Sequence, residues 1–273
     1  MPTPNPVIST REEYNALAAL NYSGAKELLK SPAHYQAYLA ADREETKALR
    51  MGSLTHAMVL EADTVSHKYA AAPECDRRTK EGKQLYDIFM TANAGKKVIP
   101  SDEWTVCDEV SGSMRRRMKA MRFEITATEV MLTTDYCGAQ LKSALDAIVT
   151  DDNGDEWIVD LKTSEDASAK GFMQSVRSFR YNLQAHFYRM VYQAATRKTV
   201  KGFVFIVAEK SPPYLSAAYV LGPELMTYAA LDFEQAVATY KSCVALDIWP
   251  GYPDEIQTLD IPSKTSANPI TFA

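Results

Sequence analysis

Two β-prone segments, residues 139–150 (AQLKSALDAIVT) and 156–163 (EWIVDLKT), flank an Asp152-Asn153-Gly154 turn sequence, and this pairing constrains the fold more than any other feature of the chain. Such a turn between apolar strands is a strong hairpin signal. If residues 152–154 form the turn, 151 pairs with 155, and counting back sets Asp146 opposite Asp160. Asp160 and Lys162 are two apart on a strand and share a face. The rest of that strand is apolar, with Trp157, Ile158, Val159 and Leu161. Charged groups in such a strand are costly unless they are paired or otherwise used. Carboxylates opposite each other on neighbouring strands, about 5 Å apart at Cβ, repel unless a cation lies between them. A hard divalent ion suits those oxygens. The adjacent lysine can hold a water or a phosphate oxygen, which completes the equipment for metal-assisted phosphodiester hydrolysis. The same residues also permit a plainer reading, a surface hairpin with an Asp–Lys cross-strand salt bridge.

Elsewhere the periodicity predicts helices over 24–30 (capped by Ser23), 33–41, 48–61, 79–95 and 101–121, then a strand over 124–133. After the hairpin come a long helical stretch over 167–195, strands over 202–209 and 214–221, and a helix over 223–247. Residues 1–13, within an N-terminal segment of about 1–20, and the tail over 261–273 are read as irregular. A length of 273 residues allows one large domain or two small ones. With no internal repeat and no low-complexity linker, a single α/β domain over 1–273 is expected. Its order is helices, a three-stranded meander, a helix, two strands and a helix.

Cys75, Cys107, Cys137 and Cys243 are scattered, with no CxxC pair, which favours free thiols in a reducing cytosol over a zinc or iron–sulfur site. No apolar run approaches ~18 residues, and the N-terminus has neither the basic nor the apolar region of a signal peptide. A cytoplasmic protein without membrane contact is expected. The net charge of −5 argues weakly against a nucleic-acid partner, but it is an average. Basic residues cluster in RRTKEGK (Arg77, Arg78, Lys80, Lys83), at Lys96 and Lys97, and in RRRMKAMR (Arg115 to Arg122). The third run is expected to be mainly a solvated helix face.

Leu145-Asp146 followed by Asp160-Leu161-Lys162 resembles the PD-(D/E)xK nuclease signature. Gly52-Ser53-Leu54-Thr55-His56 resembles the GxxxH helix of the RecB-like and RecE-like branch, and Gln184-Ala185-His186-Phe187-Tyr188 its QxxxY motif. Ser31-Pro32-Ala33-His34-Tyr35 and the 77–83 segment are similar to the N-terminal part of RecE-type (exonuclease VIII) nuclease domains. The resemblance runs over about 20–260. It implies a restriction-endonuclease-like core, a central mixed sheet flanked by helices, with an N-terminal helical region.

The resemblance also implies roles. His56, Asp146, Asp160 and the Leu161 carbonyl would ligate Mg²⁺ (Mn²⁺ as substitute), one or two ions per site. Lys162 would orient the attacking water, and Glu129 would assist at a second ion or its waters. Gln184 and Tyr188, i and i+4 on one helix face, would brace the site and the DNA strand. Arg77, Arg78 and Lys80 would border the DNA path. The implied activity is 5′→3′ degradation of one strand at double-stranded DNA ends, leaving 3′ overhangs for a single-strand annealing protein in phage-type recombination, with a homo-oligomeric ring around DNA. Two alternatives remain open: a Cas4-like or other nuclease of this fold, whose iron–sulfur cysteines the four here do not match, and a catalytically inactive DNA-binding module. Leu145 in place of the motif's proline is common in this branch.

Overall fold

The structure is a computed structural model and describes residues 7–42 and 44–258. The first half is mainly helical: α1 (Arg11–Ala16), α2 (Tyr22–Leu28), α3 (Pro32–Ala40), α4 (Lys47–Leu60) and α5 (Val65–Lys68). Then β1 (Tyr69–Ala71) and β2 (Lys97–Ile99) form a parallel pair around α6 (Lys80–Ala92), and α7 (Ser101–Ala120) follows. Side-chain caps start most of these helices. Asn21, Ser31, Thr46 and Thr79 each accept a backbone N–H two or three residues into the helix, and Pro32 stands at the first helical position of α3.

The main sheet has five strands in sequence order, β3 (Glu124–Tyr136), β4 (Ala139–Thr150), β5 (Glu156–Ser164), β6 (Gly202–Glu209) and β7 (Ser216–Tyr219). β3, β4 and β5 are an antiparallel meander. β6 runs parallel to β5, and β7 antiparallel to β6, so the sheet is mixed. The crossover between β5 and β6 carries α8 (Ala169–Phe179) and α9 (Tyr181–Thr196), and α10 (Pro223–Leu246) follows β7. One face of the sheet packs on α2, α8, α9 and α10 through Leu28, Phe172, Phe187, Phe205 and Phe233. The other packs on α4 and α7 through Val59, Val110, Met114 and Met118. Fully burying each of these side chains stabilises the fold by roughly 1.5–3 kcal/mol. The result is the expected mixed sheet between helical layers.

Three expectations are corrected. The helix over 167–195 is two helices, because Arg180 adopts a left-handed conformation (φ 54°) that ends α8 and redirects the chain into α9. The segment 1–13 is not all irregular. Thr10 and Glu13 form a reciprocal capping box that starts α1, and Ile8 N–H donates to the Met131 carbonyl at the sheet edge. The small β1–β2 pair is an addition: three-residue strands are too short to carry a period. The strand over 214–221 is confined to 216–219. The tail from 261, and residues 1–6, lie outside the described residues.

Candidate metal centre and active site

Asp151 builds the hairpin turn. Its Oδ1 accepts the N–H groups of Asn153 (2.9 Å) and Asp155 (3.1 Å), and its Oδ2 accepts Trp157 Nε1 (3.0 Å). The Trp157 bond, with these backbone bonds, holds the Asp151 carboxyl below the usual range. Gly154 supplies the left-handed residue (φ 82°). Asp151 N–H bonds to Asp155 O, and the ladder continues to Ala147↔Val159. Continued one step, this register would set Asp146 against Asp160, as counted from the turn. Here the paired ladder ends. Asp146 instead turns its own carboxylate across, and Oδ2 accepts the Leu161 N–H at 2.8 Å.

Three elements converge on Asp146. The first is α4, which packs its Leu54, Met58 and Val59 inward and presents His56 to the strand ends. His56 Nε2 is 3.0 Å from the Leu161 carbonyl, and Nδ1 is 3.4 Å from Asp146 Oδ2. With Nε2 assigned as the donor to that carbonyl, Nδ1 is a lone pair facing a carboxylate oxygen. Two acceptors so placed need a proton or a cation between them. The second element is β3, whose Glu129 lies across from Asp146 in the β3–β4 register. Glu129 has a left-handed backbone (φ 48°) in mid-strand, a strained state for a non-glycine residue, of order 1–3 kcal/mol. Burial, with the Asp146 charge second, raises the Glu129 carboxyl. The third is α1, whose Arg11 Nη2 reaches Glu129 Oε2 at 2.5 Å.

One ligand atom from each of His56, Glu129 and Asp146 lies within 4.8 Å of the others. Ligands on opposite sides of an ion with bonds of about 2.0–2.4 Å are no farther apart than that. An imidazole and two carboxylates are a donor set for a divalent cation, and the residues present fit one. They face a cavity of about 660 Å³, also lined by Arg11, Lys68 and Tyr188.

Asp160 occupies a different place from the one the sequence suggested. It is 2% exposed and stands outside the three-residue cluster. Its Oδ2 is 2.5 Å from Lys162 Nζ, and its Oδ1 accepts Gln184 Nε2 at 2.6 Å. Burial lifts the Asp160 carboxyl to about 6, against the Lys162 ammonium, with Asp146 pushing the same way as burial. Burial would pull Lys162 down, but the Asp160 and Asp146 carboxylates outweigh it and the ammonium is raised. Lys162 thus stays cationic beside the cluster, with its Nζ 4.8 Å from the Tyr181 ring centroid. The Leu161 carbonyl, an expected ligand, is engaged by His56. Gln184 reaches the site by bracing Asp160. Tyr188 lines the cavity and packs edge-on against Tyr22 (centroids 6.3 Å).

The expected basic border is elsewhere. Arg77 lies over the Tyr86 ring (4.2 Å), Arg78 is almost fully exposed beside Asp76, and Lys80 lines a groove along α6. None of the three lines the cavity: Arg77 and Arg78 lie in the turn before α6, Lys80 opens that helix, and α6 keeps only Gly82 buried. Arg115 and Arg117 are not a plain solvated face: they donate to the Met58 and Ser216 carbonyls. The cations at the cavity are Arg11 and Lys68, the latter paired with Glu61. The Thr10-x-x-Glu13 capping pattern was the one available sign that Arg11 belongs to ordered structure. All four cysteines are unpaired thiols.

A mixed five-stranded sheet with Asp146 and Asp160-x-Lys162 on adjacent strands defines a PD-(D/E)xK-like fold. The chain belongs to the family described as PDDEXK-like domain of unknown function (DUF3799), whose profile matches residues 21–262. Among solved structures it is similar to a candidate exonuclease from Eubacterium rectale, at 15% identity, TM-score 0.59, over 94% of this chain and 96% of that one. The structure of SSO0001 matches at 14% identity and TM-score 0.30, over 72% of this chain and 86% of that one. No curated protein matches the chain. No helix among the described residues is long and apolar enough to cross a membrane.

Proposed function

We propose that this protein is a metal-dependent DNA exonuclease that hydrolyses phosphodiester bonds at the ends of linear duplex DNA. The observation that carries the reading is the convergence of His56, Glu129 and Asp146 on one cavity beside a lysine held cationic by buried Asp160. His56, Asp146 and Glu129 would hold Mg²⁺ or Mn²⁺, and Asp160 would join them when Lys162 turns to substrate. A bound ion would polarise the phosphate and lower the pKa of an attacking water. Lys162 would orient that water and meet the charge that builds on the phosphoryl oxygens. Gln184 would keep Asp160 aimed at the lysine, and Tyr188 would form the wall of the cavity. Arg11 and Lys68 would supply the positive charge that a phosphate backbone requires.

The finer reading is 5′→3′ degradation that leaves 3′ overhangs for an annealing partner in phage-type recombination, by a homo-oligomeric ring. It rests on the RecE-like motifs. The test compares 5′-labelled linear, 3′-labelled linear and circular duplex in Mg²⁺, Mn²⁺ and EDTA. Metal-dependent release of the 5′ label from linear DNA alone supports the reading, and cleavage of the circle overturns the exonuclease assignment. A native mass at a multiple of 30.4 kDa supports the ring, and a monomer that still degrades long duplexes processively counts against it.

A further inference from the structure

Lys162 does not line the cavity that holds His56, Glu129 and Asp146. It lines a second groove of about 410 Å³, which shares no lining residue with that cavity. That groove is also bordered by Ser164, Ser175, Phe179, Tyr181 and Lys210. If a phosphate reacts between the cluster and Lys162, a nucleic-acid strand has one opening on each side of it, and the flanking nucleotide falls in this groove. Aromatic and basic side chains meet in the groove, beside the carboxylates Glu165 and Asp166. Phe179 is the one phenylalanine among the exposed large apolar residues described, at 49% exposure. Its ring lies 5.5 Å from that of Tyr181, at 30° between planes. Its position is fixed on both sides. Tyr22 Oη donates to its carbonyl, and Arg180, left-handed and paired with Asp232 at 2.6 Å, sets the sharp turn that brings residues 179 and 181 to one groove. Lys210 brings a second ammonium, shared with Glu165 at 2.5 Å.

We infer that Phe179 is a stacking platform for the nucleobase next to the scissile phosphate, with Lys162 and Lys210 flanking that nucleotide's phosphate. An aromatic face accepts any base, so the contact is sequence-tolerant. The inference rests on the nuclease reading and names a substrate subsite of that same centre.

The test uses the full chain in Ca²⁺, with single-stranded dodecamers carrying 2-aminopurine at one position at a time near each end. Wild type should quench the fluorescence at one or more positions. Phe179→Ala should abolish that quench and weaken binding by about 5- to 150-fold, the range of one lost base–aromatic stack. Phe179→Trp should restore both, while Phe179→Leu, apolar but not aromatic, should not. Circular dichroism and the melting curve of each variant establish that it folds. Unchanged quenching at every position in Phe179→Ala, or full rescue by Leu, overturns the inference. Cleavage by wild type in Mg²⁺ is measured beside it. Cleavage with no role for Phe179 sinks the stacking platform alone, whereas absence of metal-dependent cleavage sinks the nuclease reading.

Discussion

Asp146 Oδ2 accepts the amide N–H of Leu161 at 2.8 Å, just where the β4–β5 ladder stops. One carboxylate therefore does two things. It satisfies the backbone at the strand fork, and it faces His56 Nδ1 across 3.4 Å. Because Leu161 lies between Asp160 and Lys162, that bond locks the Asp-x-Lys segment to the His56–Glu129–Asp146 cluster. Asp146→Asn should keep the backbone bond, since the amide oxygen still accepts, and lose the charge. The expected outcome is a native melting curve with Mn²⁺ affinity at least tenfold weaker, read by calorimetry. Wild-type affinity in Asp146→Asn would remove Asp146 from the ligand set.

Lys162→Met should abolish cleavage and also lower stability, in a pH-dependent way. Removing one partner of a buried pair costs about 3–5 kcal/mol, because Asp160 is left without its ammonium. Folded Asp160 titrates near 6, above the ~3.9 of an unfolded aspartate. Folding therefore takes up a proton between those values, and this group's contribution falls as pH rises from about 4 to 6. Without Lys162 the folded value moves higher and the window widens upward. The deficit in melting temperature should be largest above pH 7 and shrink toward pH 5. A deficit that does not vary over that range would show that Asp160 is not the group responsible.

Gln184→Leu separates bracing from ligation. Gln184 donates to Asp160 Oδ1 at 2.6 Å in the interior. A hydrogen bond to a charged group is worth about 1.5–3 kcal/mol, and its loss should lower both stability and turnover. Metal affinity should change little, because Gln184 is not in the cluster. Calorimetric titration with Mn²⁺ checks this, and a tenfold loss of affinity would contradict it.

The register of the hairpin was legible in the sequence because turn geometry and strand period are local rules, whereas the mixed sheet and the approach of His56 to Asp146 were legible only through the PD-(D/E)xK and GxxxH resemblance. What was missed depends on the folded whole. The break at Arg180 needs a left-handed non-glycine residue, which no pattern announces. Whether Asp160 meets a cation or Lys162 is decided by burial under α9, and strand alternation does not report that. Arg77, Arg78 and Lys80 formed an obvious charge run, yet the turn before α6 and the first residue of that helix place them away from the cavity. Arg11, alone in a polar segment, is the cation that touches the cluster.

Arg11→Ala should tighten metal binding. Its guanidinium neutralises Glu129 at 2.5 Å and so competes with an incoming cation. The pair is partly exposed, so its loss should alter stability by less than about 1 kcal/mol. Mn²⁺ affinity should rise several-fold at low ionic strength, and this gain should vanish in the Arg11→Ala/Glu129→Gln double variant. Weaker metal binding in Arg11→Ala would mean that Arg11 supports the cluster instead of competing for it.

The most direct test is release of nucleotides from linear duplex DNA by wild type, Asp146→Asn and Lys162→Met in Mg²⁺, with DNA binding in Ca²⁺ measured on the same preparations. Wild type should degrade the duplex and stop on addition of EDTA. Both variants should bind DNA yet fall at least a hundredfold in rate, as loss of a group that stabilises transition-state charge does. Degradation at near-wild-type rate by either variant, or by wild type in EDTA, would contradict a metal-dependent nuclease centred on Asp146 and Lys162.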